Sequence, residues 1–207
     1  MAALLVPVKA FAVAKGRLRG HLTNAERERL ARWTAGRVLA AARGDVFVAC
    51  DDAGVAEWAV ARGAAVVWGP GLGLNGAVDQ AAARIAADGY SRVTIAHADL
   101  PDPRGLADVG RGALAPGNTR LAEAIVLVPD RHRDGTNVLS RPTAADVPAR
   151  YGAGSFARHL AAAQATGRPV TVRVDRFLSV DIDTPSDLRH PIVARLLTAA
   201  LADRAVA

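Results

Sequence analysis

The chain has 207 residues, 51 % of them apolar and 4 % aromatic, and a net charge of +6 from 26 Lys and Arg against 20 Asp and Glu. That length suits one domain with a full core, so residues 1–207 are read as a single unit. With Cys50 the only cysteine, an intramolecular disulfide is excluded. No stretch approaches the roughly 20 apolar residues that span a bilayer, and the opening MAALLVPVK lacks the basic region of a signal peptide. The reading is a soluble, cytoplasmic protein.

Short apolar runs alternate with longer amphipathic stretches. Leu4–Val8 reads as a strand and Asn24–Ala42 as a helix, with Leu30, Trp33, Thr34, Val38 and Ala41 at helical spacing. Thr23 or Asn24 is its expected cap, with Glu26 in the first turn. Val46–Cys50 is the second strand, and Ala53–Arg62 a short helix capped by Asp51 or Asp52. Ala64–Trp68 is a strand, Asn75–Ala87 a helix and Arg92–Ala96 a strand. Leu106–Leu114 reads as a helix and Ala124–Val128 as a strand. Asn137–Leu139 and Thr171–Val174 look like short strands around a helix over Ser155–Ala165. Phe177–Ile182 reads as a last strand, and Pro185–Ala200 as a helix capped by Thr184. This rhythm implies parallel strands joined by crossover helices. The expected fold is α/β, with a mostly parallel sheet flanked by helices and a smaller mixed region near the end.

In open α/β sheets, ligands bind beyond the carboxyl ends of the strands, so the residues after each apolar run carry the chemistry. Lys9, Lys15 and Arg17 follow the first run with Ala10, Ala14 and Gly16 between them, which suits a triphosphate or a solvated loop feeding the first helix. The fourth run ends in His97-Ala98-Asp99, which puts one carboxylate at the sheet edge. Asp181 and Asp183 stand two apart, so on an extended strand they share a face. Two like charges side by side are best justified by a cation, and magnesium takes one or two carboxylates plus phosphate oxygens. Two polar loops, Asp130–Asn137 (DRHRDGTN) and Tyr151–Phe156 (YGAGSF), complete the set. The second opens a helix, whose first amides bind anions. The glycine-rich stretch from Gly71 to Gly76 also precedes a helix.

Six segments together resemble the guanylyltransferases of coenzyme F-420 biosynthesis: VPVKAFAVAKGRL, GLNGAV, HADLP, LVPDRHRDGTNVL, YGAGSFARHL and SVDIDTPSDL. They run in the family's order from Val6 to Leu188. The family is similar to nucleotidyltransferases with a Rossmann-like, glycosyltransferase-A-type domain. It often has proline where this chain has His97. The resemblance implies transfer of GMP from GTP to phosphoenolpyruvate or 2-phospho-L-lactate, with release of pyrophosphate. It implies Mg2+ on Asp99, Asp181 and Asp183, with Thr136, Gly152 and Ser155 on the phosphorylated acid. It puts Lys15, Arg17 and Lys9 on the GTP phosphates, and Leu72 to Asn75, including Gly73 and Asn75, in the guanine and ribose site. Lys15, Arg17 and Asp99 would carry the catalysis. The alternatives are 3-phospho-D-glycerate as acceptor, or a nucleotidyltransferase acting on a sugar phosphate or a molybdopterin. Two others are a basic nucleic-acid-binding domain and a non-catalytic nucleotide sensor. The scattered arginines and the absence of a stacking platform or zinc spacing speak against nucleic acid, and no membrane partner is expected. A homodimer is left open.

Overall fold

The computed structural model of the chain describes residues 1–110 and 122–202. Among these, seven strands form one sheet: β1 (Ala2–Pro7), β2 (Val46–Cys50), β3 (Ala65–Trp68), β4 (Arg92–Ala96), β5 (Ile125–Pro129), β6 (Thr136–Pro142) and β7 (Val170–Val172). Their order is β3-β2-β1-β4-β6-β5-β7, and only β6 runs antiparallel to its neighbours. The α-helices whose ranges fall among the described residues are α1 (Asn24–Ala40), α2 (Ala53–Val60), α3 (Gly73–Ala87), α4 (Ser155–Ala165) and α5 (Pro191–Ala202).

Alternation along β1 divides the core. Leu4 and Val6 pack with Val38 of α1 and Trp58 of α2, whereas Ala3 and Leu5 pack with Val78 and Ile85 of α3 and Phe156 of α4. Each fully buried aliphatic side chain contributes about 1.5–3 kcal/mol, which explains why the central strands read as unbroken apolar runs. A third cluster, of Leu18, Leu30, Val180, Ile182 and Val193, seats α5 against α1. Thr23 closes α1 with a reciprocal cap. Its hydroxyl accepts the Glu26 N–H at 3.2 Å, and the Glu26 carboxylate accepts the Thr23 N–H at 2.8 Å. Asp52 caps α2 through the Val55 N–H at 2.9 Å. No helix among the described residues is long and apolar enough to cross a membrane.

Three elements depart from the sequence reading. Phe177–Ile182 is not a strand: the Asp175 carboxylate accepts the Phe177 and Leu178 amides and bends the chain into a turn. Leu178, Val180 and Ile182 are buried without strand pairing, and the segment meets the sheet through the Asn137 side-chain N–H to the Leu178 carbonyl at 3.0 Å and the Ile182 N–H to the Asp99 carbonyl at 3.2 Å. The helix expected over Leu106–Leu114 is one 3-10 turn, Leu106–Asp108. Val109 is extended and Gly110 has φ +79, so the turn cannot propagate. Residues 111–114 of that expectation lie outside the described residues. The last helix starts at Pro191 rather than Pro185, because Thr184 serves another turn. The Asp187 carboxylate accepts both the Asp183 and Thr184 amides and the Thr184 hydroxyl.

Candidate active site

Three strands deliver their carboxyl ends to one cleft of about 530 Å³, which also takes residues from the start of α3. Lys9 and Lys15 enter after β1, Asp51 after β2, and His97 and Asp99 after β4, with Asp183 at the rim. Val8, Phe11, Ala49, Leu74 and Ala77 supply apolar wall.

The loop after β1 is held in an unfavourable shape. Lys15 has φ 56 and ψ 36, the left-handed region that costs a side-chain-bearing residue roughly 1–2 kcal/mol. Two bonds fix it. The buried Arg27 of α1 donates to the Ala14 carbonyl at 3.0 Å, and the Lys15 carbonyl accepts the Leu18 N–H at 2.9 Å. The turn aims Lys15 inward, where its ammonium donates to the Ile182 carbonyl at 2.5 Å and lies 3.3 Å from Asp99 Oδ2. Arg17 remains outside, with its guanidinium 2.5 Å from Asp183 Oδ2.

Asp99 and Asp181 are close enough to disturb one another. Burial would raise the Asp99 carboxyl, but the Lys15 ammonium and His97 outweigh it and hold the group below the ordinary carboxylate range. Asp181 goes the other way: burial raises it, the Asp99 and Asp187 charges add to that, and Lys15 and the Asn137 amide only partly offset them. Asp99 Oδ1 is buried without a hydrogen-bond partner among the described residues, as is His97 Nε2. Ile182 is buried in the core between Asp181 and Asp183, and of these two aspartates only Asp183 lines the cleft. Asp183 is engaged by Arg17. No group of three or more His, Cys, Asp or Glu side chains is gathered as a metal cage among the described residues.

Thr136, Gly152 and Ser155 form a second cluster, and none of them lines the cleft. The Thr136 N–H donates to Ser155 Oγ at 3.1 Å. His159 Nε2 accepts the Arg150 N–H at 2.9 Å, which leaves the proton on Nδ1, 3.0 Å from Thr136 Oγ1. Each hydroxyl thus accepts a bond and keeps its own hydrogen to donate. Gly152, at φ +113, makes the bend that a side chain would resist. The two polar loops are tied together. Asp134 accepts the Gly154 amide on its carboxylate at 3.0 Å and the Phe156 amide on its carbonyl at 2.9 Å. The Tyr151 ring lies between His97 (4.9 Å) and His159 (4.7 Å) and joins the cluster to the cleft. Gly73 lines the cleft, but Asn75 gives both ends of its amide to the Tyr151 backbone, at 2.7 and 3.4 Å. Its side chain therefore clamps α3 to the Tyr151 turn instead of facing the cleft.

Several positioning residues carried only faint sequence signals. Arg27 and His159 each sit on the buried face of an amphipathic helix, where a charge or an imidazole needs a reason. Asp187, whose carboxylate pairs with Arg131 and holds the Asp183 amide, gave no signal at all.

His159 also sets an acid limit. Burial first, then the neighbouring His97, Arg158 and Arg150, depress its imidazole from 6.5 to about 4. Below pH 6.5 the unfolded chain takes up a proton that the folded one refuses. Stability should therefore fall as pH drops from 6.5 toward 4, by on the order of 2–3 kcal/mol, and this loss should stop growing below that. Urea midpoints between pH 7 and 4 check this: the slope should flatten in His159→Gln, and an equal slope in both proteins would remove His159 as its source.

A parallel sheet with one reversed strand, a cation-bearing first loop and a carboxylate after β4 defines a nucleotidyltransferase fold. A solved nucleotidyl transferase from Methanothermobacter thermautotrophicus superposes with a TM-score of 0.63, covering 99 % of each chain at 13 % identity. The sequence narrows the class. Residues 2–194 match the family model described as guanylyl transferase CofC like, and the chain belongs to that family. It is 37 % identical over 192 residues to a phosphoenolpyruvate guanylyltransferase of Sphaerobacter thermophilus, covering 90 % of each chain. It is 31 % identical over 194 residues to a 2-phospho-L-lactate guanylyltransferase of Methanothermobacter thermautotrophicus, covering 91 % of this chain and 83 % of the relative.

Proposed function

We propose that this protein transfers GMP from GTP to phosphoenolpyruvate and releases pyrophosphate, with 2-phospho-L-lactate as the second acceptor to weigh. The observation that carries the reading is the Lys15–Asp99–Asp181 group, where the first loop, the end of β4 and the segment after β7 meet beside a nucleotide-sized cleft. The names of the more similar relatives favour phosphoenolpyruvate.

The residues present fit Mg2+. An orphaned buried oxygen on Asp99 and a raised neighbouring carboxyl on Asp181 leave room for a further positive charge. Asp99 and Asp181 would hold the ion, joined by Asp183, with substrate oxygens completing its shell. When bound, Mg2+ supplies positive charge against the phosphates of both substrates. The chain's own residues do the rest. The acceptor phosphate is already an anion near neutral pH, so its oxygen attacks the α-phosphorus without a general base. The obstacle is repulsion, roughly 4 kcal/mol between unit charges 4 Å apart at an effective dielectric near 20. Lys15 and Arg17 offset it, and Lys15 stabilises the charge that develops on pyrophosphate. Thr136, Ser155 and the Gly152 turn orient the acid with their free donors. A net charge of +6 suits polyanionic small substrates, and a GTP-consuming reaction suits a cytoplasmic protein.

Incubation with GTP, magnesium and each of phosphoenolpyruvate, 2-phospho-L-lactate and 3-phospho-D-glycerate tests this, read by mass spectrometry of the product. The expected product is enolpyruvate joined to guanosine through a single diphosphate, one phosphorus from GTP and one from the acceptor. Product only from a sugar phosphate, or none with any acid, would overturn the assignment. Ser155→Ala should raise the acceptor's KM about tenfold and leave that of GTP unchanged, because one charge-assisted bond is lost. It should also lower the melting temperature, since the Thr136 amide loses its acceptor. Steady-state kinetics in both substrates decides the point, and an unchanged acceptor KM would detach Ser155 from the acid.

A further inference from the structure

Lys15, Asp99 and Asp183 sit at one end of the cleft, and the other end holds Asp51, beside Lys9 in the β1–β2 register but in no ion pair among the described residues. Asp51 is the first residue after β2, exposed and lining the cleft. The other cleft carboxylates have cations, Asp99 with Lys15 and Asp183 with Arg17. The adjacent Asp52 is spent on capping α2. Among the described residues Asp51 makes neither a hydrogen bond nor an ion pair.

Its distance from the reacting end follows from topology. β1 lies between β2 and β4, and all three strands are parallel, so Lys9, Asp51 and Asp99 emerge on one edge. Neighbouring strands are about 4.8 Å apart, which sets Asp51 about 10 Å along that edge from Asp99. That is the reach of a nucleoside whose phosphates lie against Lys15. Between the two ends the wall is apolar (Val8, Phe11, Ala49, Leu74, Ala77), a surface for a flat ring.

We infer that Asp51 reads the base and makes the cleft selective for guanine. This rests on the reading above that the donor is a nucleoside triphosphate. Guanine alone presents two donors side by side, N1–H and the 2-amino group, which a carboxylate accepts with both oxygens. Adenine would set the N1 lone pair, and cytosine the N3 lone pair, against the Asp51 charge. Selection therefore comes from repulsion of the wrong base as well as attraction of the right one.

Inosine triphosphate, which keeps N1–H and lacks the 2-amino group, separates this from a general charge effect. Dissociation constants for GTP, inosine triphosphate and ATP, each with magnesium, are measured by calorimetry on the wild type, Asp51→Asn and Asp51→Ala. Transfer to phosphoenolpyruvate is assayed in parallel. The wild type should bind GTP at least about tenfold tighter than inosine triphosphate. In Asp51→Ala that ratio should fall toward one, and in Asp51→Asn the preference for GTP over ATP should shrink, because an amide N–H can face adenine N1. A GTP-to-inosine-triphosphate ratio equal in wild type and variants would overturn the inference, as would tighter binding of ATP than of GTP by the wild type. A wild type that binds GTP selectively without transferring it would instead defeat the reaction, and the binding ratios would still decide Asp51. Binding of no nucleotide at all would defeat both.

Discussion

Asp99→Asn is expected to cut turnover at least about a thousandfold while the protein stays folded. The side chain keeps its size and can still accept a bond from Lys15, so the loop after β1 has no steric reason to move. What disappears is the charge that faces Lys15 on one side and Asp181 on the other. Relief of the Asp181 carboxyl favours the variant, and the buried Lys15 ammonium, left with the Ile182 carbonyl, disfavours it. These terms oppose, so the melting temperature should move by only a few degrees. Pyrophosphate release at saturating magnesium, with circular dichroism as the check on folding, measures both. Wild-type kcat in this variant would remove Asp99 from the chemistry.

Lys15→Gly should separate stability from activity more sharply. Glycine adopts φ 56 freely, so the backbone gains roughly 1 kcal/mol or more. The lost contact to Asp99 offsets this, and unfolding should again change little. Turnover should nevertheless fall by about a hundredfold to a thousandfold, the usual effect of removing one preorganised charge from a developing anion. A residue held in a costly conformation whose removal leaves the fold unharmed and the reaction lost is a strained functional residue. Kinetics and urea unfolding of the same preparation test it. A large loss of stability with intact kcat would make Lys15 a structural residue.

Much of this architecture could be read from the chain because local and global signals agree. Val46–Cys50, Arg92–Ala96 and Ser155–Ala165 match their elements residue for residue, each an apolar or amphipathic run bounded by turn formers. Phe177–Ile182 misled for a physical reason. Leu178, Val180 and Ile182 are buried, but burial against helices looks the same in sequence as burial within a sheet. Asp99 was legible because an aspartate ending an apolar strand has a predictable place in such folds. Asn75 was not: the resemblance implied a ligand contact for it, and the backbone it holds lies 76 residues away. Arg27 and His159 were hidden for the same reason, since each acts on a loop outside its own helix, whereas Asp187 holds amides only three and four residues away. Asp51 could be listed as a cap, but its freedom shows only once Asp52 is seen to do the capping.

The Asn75 clamp has a mechanical consequence. The start of α3 and the Tyr151 turn belong to opposite sides of the reversed strand β6, yet a two-point bracket of 2.7 and 3.4 Å fastens them. A hinge needs a seam where few bonds cross, and here the seam between the two substrate regions is stitched. A shift of the start of α3 would thereby be geared to the turn ahead of Ser155.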